Sequence, residues 1–242
     1  MFFVFDIETV PDIAFIRKVL NQPDAGEEKL LEIAGHELGR GKSDFLPPMY
    51  HRVVSWAGLW IENSGMPRQK KTWNGTDETE GLKILFDTLS TYKDFGLIHH
   101  NGRGFDLPVI TYRALKLGLQ MPGRLSHHDI KYRYSNVNID LQDELSNYGA
   151  SSWPKLDHLS QLIDIPVKKT GAGSQVLAMY KNGELEKIER YCFEDVMGTY
   201  IVWLHLKFTS GDISRKIFSN LKERAIGKLN EIQGEDNPSE EE

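Results

Sequence analysis

With 242 residues, 40% hydrophobic and 26% charged, the chain has the size and make-up of one large folded domain or, at most, two small ones. Its net charge of −6 excludes a protein that coats nucleic acid nonspecifically; five acids fall in the last nine residues, GEDNPSEEE, so the body carries about −1 and has room for a local basic groove. No apolar run reaches the ~20 residues that cross a bilayer, the N-terminal run lacks the basic start of a signal peptide, and a single cysteine, Cys192, excludes an intrachain disulfide and fits a reducing cytoplasm.

Taken in chain order, MFFVFD (1–6) reads as a buried strand that breaks into Asp6, Ile7 and Glu8. Residues 21–50, rich in Gly, Pro and charge, read as an insertion before a second strand, RVVSWAGLWIE (52–62). RQKKTWNG (68–75) alternates poorly and reads as the edge strand of a meander. Helical spacing of Leu82, Leu85, Phe86 and Leu89 predicts a helix over 78–92, followed by a short strand, FGLIHHNG (95–102). Asp106 opens a helix with Pro108 in its first turn and Gly118 near its end. VNIDL (137–141) predicts a further strand, with short helices around 142–148 and 155–163 and another at 175–181. A long helix from about Glu184 to Phe208 and a helix over 212–232 complete the series. The order of strands and helices implies an α/β fold, a mixed five-stranded sheet with helices on both faces. The expected organisation is a domain over 1–208 interrupted by the 21–50 insertion, a C-terminal helix over 209–233 and a disordered acidic tail over 234–242.

Four carboxylates stand out against this frame. Asp6 and Glu8, two apart in a strand, share a face at its end, where like charges cost free energy unless something offsets them. A strand end meeting solvent would account for the pair equally well. Asp106 follows a strand and a glycine turn, and helix N-capping alone would explain it. Tyr191 and Asp195, four apart on the late helix, share a face, as many surface pairs do. Taken together, four carboxylates converging on one sheet edge would repel unless divalent cations sat among them, and oxygen-only ligands suit Mg²⁺ or Mn²⁺. Two such ions form a clamp for phosphoryl transfer.

FDIET, NGRGFD and YCFED match in order and type the three exonuclease motifs of the DEDD superfamily of 3′–5′ exonucleases, which has a ribonuclease H-like fold. The wider context, FDIETVPD and GSQVLAMYKNGELEKIERYCFEDVMGTY, resembles the stand-alone exonucleases related to the proofreading domain of family-B DNA polymerases, from residue 1 to about 208 and most weakly across 21–50. The resemblance implies that Asp6, Glu8, Asp106 and Asp195 hold two divalent cations, Mg²⁺ or Mn²⁺. Tyr191 marks the tyrosine subtype, with Arg190 where the other subtype has its His. It implies that Tyr191 orients the attacking water, being too weak an acid near pKa ~10 to serve alone as a base. Backbone around Thr9, with Asn101 and Phe105, would lie near the substrate's 3′ end, although Phe105 serves equally to pack against the helix it precedes. The implied reaction is in-line attack on the last phosphodiester of single-stranded DNA, releasing a nucleoside 5′-monophosphate.

Other features keep two readings. Asp140 matches a site-shaping position but suits an N-cap. RLSHHDIKYRY (124–134) would line a groove for phosphates or form a solvated loop. KKTGAGSQ (168–175) would cradle a phosphate at a helix start, without the ending of a P-loop. Of His99 and His100 at least one should face the core, and neither has metal-ligand spacing. Two other functions fit the same scaffold: an exoribonuclease, since 2′-hydroxyl contacts decide DNA against RNA, and a nucleic-acid-binding module that has lost its chemistry. Possession of all four acids and the tyrosine argues against the last. A proofreading role would need a separate polymerase or repair partner, because 242 residues leave no room for a polymerase domain. No membrane association is expected, and oligomeric state is not legible.

Overall fold

The structure, a computed structural model, describes residues 1–39, 45–165 and 175–234. Five strands form one sheet: β1 (Phe2–Pro11), β2 (His51–Ile61), β3 (Pro67–Asn74), β4 (Gly96–His99) and β5 (Asn138–Asp140). Their order across the sheet is β3-β2-β1-β4-β5. The first three form an antiparallel meander, and β4 and β5 add in parallel on the other side of β1. This is the mixed α/β sheet expected of a ribonuclease H-like fold.

Alternation along β1 sends its side chains into two separate cores. Phe3, Phe5 and Ile7 pack with Trp56, Trp60, Leu82, Leu85 and Ile110, under helices α3 (Glu78–Leu89) and α4 (Asp106–Leu117). On the opposite face Val4 joins Ala57, Leu59 and Ile98 beneath Cys192, Val196, Tyr200 and Trp203. Those four belong to α10 (Leu185–Thr209), the longest helix, and α11 (Arg215–Gly234) seals its outer side with Leu221, Ala225 and Leu229. Helices therefore cover both faces, and α11 shares the same core as the sheet. Glu189 fixes α10 along the sheet by accepting from Thr72 Oγ1 at 2.8 Å and Asn74 Nδ2 at 2.5 Å, both on β3.

The 21–50 stretch holds more regular structure than its composition suggests. Helix α1 (Ile13–Val19) follows β1, capped by Asp12, and α2 (Glu27–Leu38) packs Leu30 and Ala34 against Ile16, Leu46 and Tyr50. Strand β1 also runs to Pro11, past the predicted end at Asp6, because pairing with β2 continues through Pro11 opposite His51. Pairing with β4, in contrast, stops at Val4. Asp6 and Glu8 are therefore not at the end of their own strand; they lie beyond the end of the neighbouring one. The short helices α5 (Gly123–Ser126), α6 (His128–Lys131), α7 (Leu141–Leu145), α8 (Leu156–Leu162) and α9 (Val176–Lys181) fill the remaining connections. The predicted KKTGAGSQ cradle and the acidic tail lie outside the described residues, apart from Gln175 and Gly234.

Candidate functional site

Where β4 ends, the chain turns through residues 100–105 into α4, beside the part of β1 that its pairing with β4 does not reach. Asp106 is the first residue of α4, and the cap position belongs to Phe105, whose side chain makes no capping bond. The capping reading of Asp106 thus fails. Its Oδ1 instead accepts the Ile7 N–H at 3.2 Å, which ties the start of α4 to the residue between Asp6 and Glu8. Asp106 is 5% exposed, and burial pushes its carboxyl from an ordinary 3.8 up to about 7, against the opposing field of His99 and the Ile7 hydrogen bond.

On the other side stands α10. Cys192 donates its thiol to the Asp6 main-chain oxygen at 3.3 Å and lies 3.6 Å from Asp6 Oδ2. Ligand atoms of Asp6, Glu8 and Cys192 all lie within 4.8 Å of one another. Tyr191 is close enough to Asp195, Glu8 and Asp6 that burial first, and then their charges, drive its hydroxyl well above the ordinary tyrosine range. Asp195 also acts electrostatically on His100. One face of α10 thus brings Tyr191 and Asp195 towards Asp6 and Glu8, and the Ile7 N–H ties Asp106 to the same stretch of β1; among the described residues the close group of ligand atoms is Asp6, Glu8 and Cys192, without Asp106 or Asp195. A break in register between Glu8 and Thr9, where Val54 of β2 is left without an opposite number, re-aims the strand just there.

The turn after β4 is shaped by Asp140. Its carboxylate accepts from the N–H groups of Asn101 (2.8 Å), Arg103 (3.0 Å) and Gln142 (3.1 Å), the last as the N-cap of α7. Burial alone would raise this carboxyl; His99 at 3.5 Å and the backbone donors outweigh it and hold it far below the usual range. Asn101 adopts φ 60, and a Cβ on Gly102 would lie 2.6 Å from Cγ and 3.0 Å from Cβ of the buried His99, so the tight NGRG turn needs its first glycine. Of the two histidines, His99 faces the interior at 1% exposure, bonded to Asn138 Oδ1 at 2.7 Å, and His100 reaches the Pro154 carbonyl at 3.1 Å.

Asn101 and Phe105 line a cleft of about 570 Å³, shared with Phe45, Arg103, Arg133 and Trp153. Asp140 also lines it, whereas Asp6, Glu8 and Asp195 do not. Phe105 packs edge-on against His51 at 5.0 Å and lies 5.3 Å from Phe45. Burial lowers His51 to about 4, so its ring is neutral near pH 7. Its Nε2–H then donates to Leu46 O at 3.1 Å, and its Nδ1 accepts from the Thr9 hydroxyl at 3.0 Å. Thr9 is thereby joined to the aromatic wall of the cleft.

Phe45, His51 and Trp153 were not legible as site residues. One faint signal existed for His51, a polar residue at the head of a largely apolar strand.

The family model described as "Predicted 3'-5' exonuclease related to the exonuclease domain of PolB" matches residues 43–240. No curated protein sequence matches the chain. The matched span holds Asp106, Tyr191 and Asp195 and begins after Asp6 and Glu8.

Proposed function

The chain belongs to the family of predicted 3′–5′ exonucleases related to the exonuclease domain of PolB, and on that premise we propose that it removes nucleotides one at a time from the 3′ end of single-stranded DNA. Asp6, Glu8, Asp106 and Asp195 would hold two divalent cations, Mg²⁺ or Mn²⁺. The donor set suits them: these are hard oxygen ligands, and the buried carboxyl of Asp106, pushed up to about 7, is one that a nearby cation would return to its charged form. When bound, such ions neutralise charge on the scissile phosphate and lower the pKa of a bound water.

The chain's own groups then have separable tasks. Tyr191 keeps its proton, because burial and four neighbouring carboxylates, Asp195, Glu8, Asp6 and Asp157, oppose ionisation; it orients a water by hydrogen bonding and does not deprotonate it. The Thr9 hydroxyl donates to His51, which leaves the Thr9 backbone and oxygen lone pairs to meet the terminal sugar. Phe105, backed by His51, offers a rigid face to the last base, with Asn101 beside it. Hydrolysis releases a nucleoside 5′-monophosphate and leaves a new 3′-hydroxyl.

The observation that carries this reading is the Ile7–Asp106 hydrogen bond, which holds the second motif's carboxylate against the strand between the two acids of the first. The test is timed degradation of 5′-labelled DNA and RNA strands with Mg²⁺, Mn²⁺ or chelator. A ladder growing from the 3′ end, lost in chelator and in Asp6→Ala, is the expected result. Faster loss of RNA would move the protein to the exoribonuclease reading, and intact strands under every condition would make it a binding module.

A further inference from the structure

We propose that an aromatic strip, His128–Tyr132–Tyr134 with the half-buried Tyr148 behind it, is a track on which single-stranded DNA upstream of the cleaved nucleotide stacks its bases. This rests on the exonuclease reading above and extends it away from the reacting phosphate. Successive rings lie 5.6, 5.7 and 4.6 Å apart, centroid to centroid. Tyr132 is 50% and Tyr134 58% exposed, and neither they nor Tyr148 belong to any of the hydrophobic clusters. Large rings that bury little area contribute little to folding, so their arrangement in a row calls for another purpose.

Three observations select nucleic acid as the occupant. First, the strip leads into the cleft. Arg133, between the two tyrosines in sequence, lines that cleft, is gripped by Asp143 at 2.6 Å, and donates to the Tyr148 carbonyl at 3.4 Å. Trp153, 58% exposed, lines the same cleft, and its loop is pinned through the Pro154 carbonyl by His100 and Gln142. Second, residues 124–134 place Arg124, Lys131 and Arg133 beside the rings, Arg124 paired with Asp129 and Arg133 with Asp143, so cations held in position flank the path a phosphate backbone would take. Third, Tyr148 is held at φ 57, flanked by Asn147 at φ 52 and Gly149 at φ 87. A bulky residue in the left-handed region is uncommon and costs free energy, yet here it brings its ring to Tyr134. Stacking on aromatic faces tolerates any base but requires the base to be unpaired, so the strip fits single strands and not duplex.

The experiment measures affinity by fluorescence anisotropy in EDTA, where no strand is cut, using 5′-labelled oligothymidylates of four and of twelve nucleotides. Wild-type protein should bind the longer strand more tightly. The double variant Tyr132→Ala/Tyr134→Ala should lose about tenfold or more on the twelve-mer and less than twofold on the four-mer, with its melting temperature unmoved. Tyr132→Phe/Tyr134→Phe, which keeps the rings, should restore the difference. Equal affinity of wild type and the alanine variant for the twelve-mer would overturn the track, as would an equal loss on both lengths. Since binding is read without cleavage, failure of the exonuclease reading in the degradation assay leaves this outcome separately legible.

Discussion

Two aspartates in this molecule are both closed off from solvent, Asp106 more deeply than Asp12, and behave in opposite ways. Asp12 is 4% exposed and Asp106 is 5% exposed. Burial by itself would raise the Asp12 carboxyl, but hydrogen bonds from Lys116 and Arg113 and from the Phe15 N–H bring it below the ordinary range. Arg113 bridges Asp12 at 2.5 Å and Glu78 at 2.5 and 2.8 Å, joining α4 to α3 and to the start of α1. Asp106 has a backbone N–H and the field of His99, and burial still pushes it up to about 7. A structural carboxylate comes with its cation built into the chain. One whose burial is left largely uncompensated suits a cation that arrives from outside, which is the physical content of proposing Asp106 as a metal ligand.

The largest expected effect comes from removing the built-in cation. Arg113→Met leaves Asp12 and Glu78 buried without their guanidinium, and breaking such a pair costs about 3–5 kcal/mol of stability. Denaturant unfolding at pH 7 reads this directly. A loss under about 1 kcal/mol would mean that the network behaves as a surface pair. At Asp106 the comparison predicts the reverse partition. Asp106→Asn keeps the shape and the Ile7 contact but removes the charge, so metal-free protein at pH 8 should unfold at a higher temperature than wild type. Cleavage should fall by more than ~100-fold, since even an outer partner of a metal ligand is worth about 10–100-fold. Activity within tenfold of wild type would remove Asp106 from the ligand set.

The same contrast explains what the sequence made legible. Asp6, Glu8 and Asp195 sit in regular elements, where the period of strand or helix fixes which side chains share a face; that the strand and the late helix meet was implied by the family resemblance and not by spacing. Asp106 was ambiguous because an aspartate at a helix start looks alike whether it caps its own helix or faces a neighbouring strand; only the Ile7 N–H, distant in sequence, decides it. The cleft's aromatic wall was hidden for a related reason. Phe45 and His51 precede or begin β2 and reach Phe105 across a long separation in the chain. Helix α2 was obscured by the Gly, Pro and charge around it, although Leu30 and Ala34 do keep helical spacing. Asp12, after Pro11 and ahead of Ile13 and Ile16, carried an N-cap signal that the acids just before it overshadowed.

The effect that tests the comparison most directly is the dependence of metal-free stability on pH. For Asp106 the folded state keeps its proton up to about 7, whereas the unfolded chain gives it up near 3.8. Over that window the folded state binds more protons, so this group makes stability fall as pH rises. For Asp12 the folded value is lowered, so its contribution is present above the ordinary 3.8 and is lost as pH falls below it. Wild-type protein in chelator should therefore show a decline between about pH 4 and 7 that Asp106→Asn removes and that Asp12→Asn leaves in place. Saturating Mn²⁺ should offset the decline, adding about 2–3 kcal/mol at a hundredfold excess over its Kd, since the cation then supplies what Arg113 and Lys116 supply to Asp12. Thermal melts in chelator and in Mn²⁺, for the three proteins across this pH range, read every term. A melting temperature that ignores Mn²⁺ at pH 8 in the wild type would show that the buried charge at Asp106 is not awaiting a cation, and the two aspartates would then differ only in how the fold happens to hold them.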